Sequence, residues 1–346
     1  MTRISVVVPV YNAPDEYVAT CVEALVQQEC RGLSYEVILV DDGSSDRALA
    51  PQLRRLGLAH HESLVCIETT HAGPAVARNV GIEAAQGELV AFTDVDCVPR
   101  RDWLARCAQA FLDPDIDAAG GLTVSYSVDS AVERYSDHFG SLRLPLVRDD
   151  VRLLIACNSC WRTSTLRSLG GFHQAYRGYA RAGFVFKGFE DFELSVRAAR
   201  QGCRVVSVED AIVAHRHRRH VYGRMQQFAS YGAGYAAFLQ ICPEAPRGLT
   251  RYEISDPVPM WGALRSVVRE TALLPIRPFR REYDGLAAVS RVAYPMFDYL
   301  QRLAFHAAYC RASRRLMARA DQPATRGTGS PFTMPAHGET PTRLAE

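Results

Sequence analysis

Lysine is almost absent from this 346-residue chain: Lys187 is the only one, and arginine supplies the other basic side chains. We read that as a composition bias without mechanistic content. An excess of one charge is also missing. Forty basic against 38 acidic side chains leave a formal net charge of +2, too little for the basic field that nucleic-acid binding draws on, so no nucleic-acid partner is expected. Cysteine is sparse, ten residues set singly inside apolar segments as at Cys21, Cys66 and Cys107. That excludes a disulfide scaffold and points to a reducing compartment. The one close pair, Cys157 and Cys160, has no second pair to complete a zinc site. No run of about 18 mainly apolar residues occurs, and Met1 leads directly into an extended segment, so neither a membrane-spanning helix nor a signal peptide is expected. The expected location is the cytoplasm. A Walker A sequence and a G-x-S-x-G elbow are both lacking, which argues against P-loop kinases and α/β-hydrolases.

What is present is an ordinary globular composition, 48% hydrophobic and 23% charged, arranged in alternating strand and helix signals. Ile4–Val10, Tyr35–Val40, Leu64–Ile67 and Leu89–Phe92 are continuously apolar and read as strands, with a further extended run over Ala118–Tyr126. Between them, Asp15–Glu29, Gly73–Ala85 and Asp102–Leu112 carry helical spacing. This is the pattern of an α/β fold with a mostly parallel central sheet and helices on both faces. Residues 127–220 are less regular, with helices expected at Thr163–Leu169 and Phe189–Gln201 and short strands at Arg204–Val208 and Ala211–Ala214. From 261 to 319 the chain turns helical and basic, with eleven Arg against four acids, interrupted by Pro295. Residues 321–346 are rich in Pro, Gly, Thr and Ser and are expected to be a disordered tail. Gly232-Ala233-Gly234-Tyr235-Ala236-Ala237 matches a dinucleotide fingerprint in letters only. It follows no strand, so small residues packing a helix are the better reading.

The polar clusters fall at strand ends, where open parallel sheets bind ligands. Asp94-Val95-Asp96 places two carboxylates at the end of an apolar strand, a hard-oxygen site for a divalent cation, although a solvated turn has the same letters. Asp41-Asp42-Gly43-Ser44-Ser45-Asp46 offers a carboxylate to a base N–H, or simply a turn and helix cap. Arg78 and Asn79 lie one turn into a helix, within reach of a phosphate or a base. Glu190-Asp191 opens a helix, where acids either cap the dipole or serve as a general base. His215 closes a strand-like stretch and is a candidate third metal ligand, ahead of His217.

Taken in order, six segments resemble the family-2 inverting glycosyltransferases with the GT-A fold: Val8-Pro9-Val10-Tyr11-Asn12, Val40 to Asp46, Ala77-Arg78-Asn79-Val80-Gly81, Phe92-Thr93-Asp94-Val95-Asp96, Gly170-Gly171-Phe172, and Gly188-Phe189-Glu190-Asp191-Phe192-Glu193-Leu194. The resemblance covers roughly residues 3–220. It implies a GT-A domain over 1–220, with a nucleotide-binding half to about 100 and an acceptor half beyond it. A helical C-terminal extension over 221–320 would follow. The resemblance also implies a nucleotide-diphosphate sugar donor, a UDP-sugar foremost, and a Mn or Mg cofactor. By position, Pro9, Tyr11 and Asp42 correspond to the nucleotide site, with Tyr11 packing on the base and Asp42 accepting its N–H. Arg78 corresponds to a residue near base and phosphates. Asp96 corresponds to the metal-bridging acid, Asp94 to a ribose or metal contact, and His215 to a metal-associated histidine. Asp191, beside Glu190, corresponds to the catalytic base. Members often carry Gly directly before the Glu-Asp pair, whereas here Phe189 intervenes. Asn158, Cys157 and Cys160 fall where the family shapes the acceptor side. The acceptor itself, whether glycan, lipid or small molecule, is not specified. The basic C-terminal helices could dock on the inner face of an anionic membrane or merely cap the domain. The rival reading is a non-catalytic nucleotide-sugar-binding protein of the same fold. A nucleotidyltransferase would want a Gly-rich loop after Val10, which is lacking.

Overall fold

The computed structural model describes residues 2–320 except 31, 46–48, 57, 59–62, 140–145, 149–150, 182, 184–187, 246–264, 266–267, 270, 273 and 275–287. The tail expected at 321–346 lies outside the described residues.

Ten strands occur among the described residues: β1 (Arg3–Val10), β2 (Ser34–Asp41), β3 (Leu64–Glu68), β4 (Leu89–Phe92), β5 (Cys97–Pro99), β6 (Ala118–Ser125), β7 (Leu146–Arg148), β8 (Val151–Leu153), β9 (Ser159–Arg162) and β10 (Val205–His215). Eight of them form one sheet in the order β3-β2-β1-β4-β9-β6-β10-β5, and β7 and β8 form a small hairpin. Strands β1 to β4 are mutually parallel, as are β6 and β10. β9 runs antiparallel to both β4 and β6, and so joins the two parallel sets in one direction. The mixed α/β sheet is therefore mostly parallel, with the carboxyl ends of β1, β2, β4, β6 and β10 at one edge.

Alternation along each strand feeds two cores. Ile4, Val6, Val8 and Val10 of β1 face one side with Val37 and Leu39, against α1 (Asp15–Val26), α2 (Leu49–Arg55) and α4 (Trp103–Ala110). Val7, Ile38 and Val40 face the other, against α3 (Pro74–Ala84), α6 (Thr163–Ser168), α7 (Ala175–Arg181) and α8 (Glu190–Arg200). A third core forms where α9 (Val221–Ile241) and α10 (Ala288–Ala320) pack on α8 and β8. The short helix α5 (Ala131–His138), opened by a Ser130–Glu133 capping box, carries Tyr135 against Tyr294 of α10.

Two sequence expectations need correction. The strands expected at 204–208 and 211–214 are one strand, β10. Its register against β6 shifts between Val208 and Ile212, so the polar Glu209-Asp210 pair bulges out and mimics a loop in sequence. Pro295 does not interrupt the last helix. α10 continues through it, because its packing on α9 and α5 outweighs the one backbone hydrogen bond that proline forgoes. No helix among the described residues is long and apolar enough to cross a membrane.

Candidate active site

One cleft of about 690 Å3 opens at the carboxyl edge of the sheet. Pro9, Tyr11, Asp42, Arg78, Asp94, Asp96, Glu190, Asp191 and His215 all line it. The parallel topology gathers these residues although up to about two hundred positions separate them: Pro9 and Tyr11 follow β1, Asp42 follows β2, and Asp94 and Asp96 follow β4.

Asp42 is buried, and its carboxylate is well supplied with donors. The backbone N–H groups of Ala72 and Gly73 donate to it at 2.8 Å each, and His71 donates from Nδ1 at 2.9 Å. It therefore fixes the loop before α3 as well as facing the cleft. His71 also stacks on Tyr11, with centroids 3.9 Å apart and planes at 14°. The two form an aromatic ledge whose outer member, Tyr11, is 37% exposed.

Arg78 is not the exposed helix residue its position suggests. It is 3% exposed, and its guanidinium bridges Asp94 Oδ1 and Glu190 Oε1, each at 2.7 Å. Two carboxylates overcome the burial that would disfavour its charge and hold its pKa above the ordinary value. Arg78 thus ties the strand-end acid of β4 to the start of α8. Asp94, expected among the metal ligands, is engaged by Arg78 and does not join the cluster around Asp96.

That cluster is Asp96, Cys97 and His215, whose ligand atoms lie within 4.8 Å of one another. It arises because β5 pairs antiparallel with the end of β10, setting His215 opposite Cys97, and Arg216 N–H donates to Asp96 O at 2.9 Å. His215 Nε2 is 3.7 Å from Asp96 Oδ1. Its Nδ1 is buried and has no hydrogen-bond partner among the described residues. Burial and the Cys157 thiol raise the Cys97 pKa well above the ordinary value. Sulfur is a soft donor, so the donors of this cluster that suit a hard divalent cation are Asp96 and His215. His217 turns away to Ser125 at 2.9 Å, and burial pushes its pKa down to about 3.

Asp191 sits in the first turn of α8. Ala156 N–H donates to its Oδ2 at 3.1 Å and its neighbour Phe192 N–H to Oδ1 at 2.9 Å. Burial first, and the Glu190 charge second, push its pKa up to about 7, against the lowering effects of these two N–H groups and Arg78. The turn before it is unusual. Phe189 has φ 72°, a left-handed conformation that glycine adopts freely and a bulky residue does not. Its ring is held against Phe192, Tyr235 and Phe238, at 5.1 to 5.9 Å between centroids. Aromatic burial against α9 thus offsets the strain at the position where glycine would relieve it.

Residues 5–173 match the family model described as glycosyl transferase family 2. The domain belongs to that family. Its fold is GT-A-like. The chain is 30% identical over 241 residues to the pre-mycofactocin glycosyltransferase of Mycobacterium tuberculosis, covering 67% of this chain and 47% of that protein. It is 34% identical over 144 residues to glycosyltransferase AglE of Haloferax volcanii, covering 41% of this chain and 46% of that one. The chain spans about half the length of these curated relatives. Among solved structures it is similar in fold to the mannosyltransferase PcManGT from Pyrobaculum calidifontis, solved with GDP-Man and Mn2+. The TM-score is 0.54 at 20% identity, over 92% of this chain and 86% of that one.

The cleft is also lined by residues that the sequence motifs did not mark. His71, Arg218, Gln226, Gln227, Ser230 and Tyr231 line the cleft. Those on α9 form a neutral polar face with no motif to announce it. Of the residues expected on the acceptor side, Cys157 lines the cleft, whereas Asn158 and Cys160 are buried away from it. Asn158 accepts from Trp103 Nε1 at 2.9 Å and donates to the carbonyls of Leu122 and Ala211, a clip that secures the β10 bulge.

Proposed function

We propose that this family-2 domain is an inverting glycosyltransferase that moves a sugar from a nucleotide-diphosphate sugar to an acceptor hydroxyl, with Asp191 as general base. The observation that carries the reading is one cleft holding both a carboxylate poised near neutrality and a separate carboxylate–imidazole pair. A single fully ionised acid cluster would serve binding alone. A base with a pKa of about 7 serves proton transfer at working pH.

Asp96 and His215 suit a divalent cation, since their donor atoms are 3.7 Å apart and of the carboxylate and imidazole types that Mn or Mg accept. Bound there, the ion would offset the charge developing on the departing nucleoside diphosphate. The remaining steps belong to the chain. Tyr11 and Asp42 support the nucleoside, and Asp94, held by Arg78, supports the ribose. Asp191 takes the proton of the acceptor hydroxyl as its oxygen bonds to the anomeric carbon and the carbon–phosphate oxygen bond breaks. One displacement inverts the configuration. Glu190 is a positioning residue, because its carboxylate is spent on Arg78 and acts on Asp191 through charge. The donor class is supported by the GDP-Man bound to PcManGT. UDP remains the first nucleotide to test. Exposed Arg311, Arg314 and Arg315 on α10 support peripheral contact with an anionic membrane.

A thermal-shift panel of UDP, GDP, dTDP and CDP, each with and without Mn2+, tests the donor site. One nucleotide should raise Tm only with the metal, by the equivalent of about 2.7 kcal/mol at 100 times its Kd. Asp96→Ala should abolish the rise. Asp191→Asn should keep it and lose roughly 100- to 10,000-fold in turnover. No shift with any nucleotide, or full turnover in Asp191→Asn, would defeat the assignment.

A further inference from the structure

One wall of the cleft is built by α9, and its composition differs from the rest of the site. The rest of the lining includes the carboxylates of Asp42, Asp94, Asp96, Glu190 and Asp191 and the cations Arg78 and Arg218. The α9 face presents Gln226, Gln227, Ser230 and Tyr231, spaced so that they lie on adjacent turns. None of them is charged.

Tyr231 is set at the corner next to the base. A Cβ on Gly188, three residues before Asp191, would lie 2.8 Å from the Tyr231 ring, so the backbone of the base turn rests directly on the aromatic face. The phenol oxygen is fixed from behind. Buried Arg224 donates from Nε to Gln301 of α10 at 3.1 Å and from Nη1 to Gln227 Oε1 at 3.2 Å. Gln227 Nε2 in turn donates to the Tyr231 oxygen at 3.1 Å. A chain of donors running in one direction polarises the last O–H and leaves its proton to be given onward. Burial pushes the Tyr231 pKa up to about 12, so it is a phenol, never a phenolate, at working pH.

Resting on the glycosyltransferase reading above, we infer that the α9 face is the acceptor subsite and that it takes a neutral polyhydroxylated acceptor, a sugar unit. Tyr231 provides both an aromatic platform and the hydrogen bond that orients the acceptor hydroxyl toward Asp191. Amide, hydroxyl and aromatic groups match sugar hydroxyls and C–H faces. Glu190 is neutralised by Arg78, and Arg218 also lines the cleft, so the preference for a neutral acceptor rests on the uncharged α9 face itself.

The test separates transfer to water from transfer to an acceptor. The full chain is supplied with Mn2+ and UDP-glucose, UDP-N-acetylglucosamine or GDP-mannose. Free sugar release is followed alone, then with a panel of octyl glycosides of neutral sugars and with the matching sugar phosphates. The wild-type protein should glycosylate a neutral glycoside in preference to any sugar phosphate. Tyr231→Phe keeps the ring and removes the donor. It should retain the Mn2+-dependent nucleotide shift. Its acceptor kcat/KM should fall at least tenfold. Gln227→Glu, which tests the chain behind the phenol, should show the same split. Equal acceptor transfer by Tyr231→Phe, preference for the sugar phosphates, or hydrolysis with no transfer to any neutral glycoside would each overturn the inference. Absence of hydrolysis and nucleotide binding together would instead defeat the glycosyltransferase reading on which it rests.

Discussion

At the residue scale the site is governed by one perturbed acid. Asp191 moves from an ordinary 3.8 to about 7 because it is half-buried beside Glu190. A base must be ionised to act, so kcat should fall about tenfold per pH unit below 7 and level off above it. Stability should move the other way. The folded protein holds this proton up to about pH 7, and the unfolded chain releases it near 4. Asp191 therefore favours the fold least above pH 7, and the contribution present at low pH is lost as pH rises through 7. Asp191→Asn carries no such loss. Its Tm relative to the wild type should be lowest near pH 4, climb by a few degrees up to pH 7 and stay flat beyond. Melting curves in half-unit pH steps measure this, and a constant difference would refute the raised pKa. The sequence placed this acid at a helix start beside Glu190, the second cause of its shift, but the larger cause is burial, which depends on how distant segments pack around it. Arg78 was legible in the same limited way. Its motif was plain, but its two carboxylate partners lie 16 and 112 residues away.

At the scale of elements, legibility followed length and continuity. Strands β1 to β4 are mainly apolar runs with helices between them, and each was readable. β5 and β9, three and four residues long, were not, since antiparallel pairing with distant strands makes them strands and no periodicity fits in so few positions. The Gly232 to Ala237 segment shows the reverse, a motif whose letters suggest a ligand and whose environment is packing. Gly232 lies inside α9, where an added Cβ would sit 2.0 Å from the Phe305 carbonyl oxygen of α10. Gly232→Ala should therefore push the two helices apart at a cost of about 1–3 kcal/mol. Urea unfolding should report that loss while the metal-dependent nucleotide shift survives. If instead the nucleotide shift vanished with stability intact, the segment would be a ligand loop after all.

At the scale of the whole molecule, the convergence of strand-end acids was legible because a parallel sheet brings its carboxyl ends to one edge whatever lies between. The α9 wall was not, since a neutral helix face has no sequence signature. The outer face of α10 poses the remaining question. Taken at 100° per residue, exposed Val289, Val292 and Met296 at its start and Arg311, Arg314, Arg315 and Met317 at its end fall on one stripe. Apolar and cationic side chains on one solvent-facing stripe suit the interface of an anionic bilayer. Each arginine near such a surface contributes about 1 kcal/mol, so the three together should favour anionic over neutral vesicles by roughly two orders of magnitude. Co-sedimentation with phosphatidylglycerol vesicles should therefore exceed that with phosphatidylcholine and weaken as salt shortens the range of the attraction. Replacing Arg311, Arg314 and Arg315 together by Glu should abolish the difference. These positions are remote from the cleft, so the nucleotide shift should be untouched. Equal sedimentation of variant and wild type would leave α10 as a cap whose arginines only keep the helix in water.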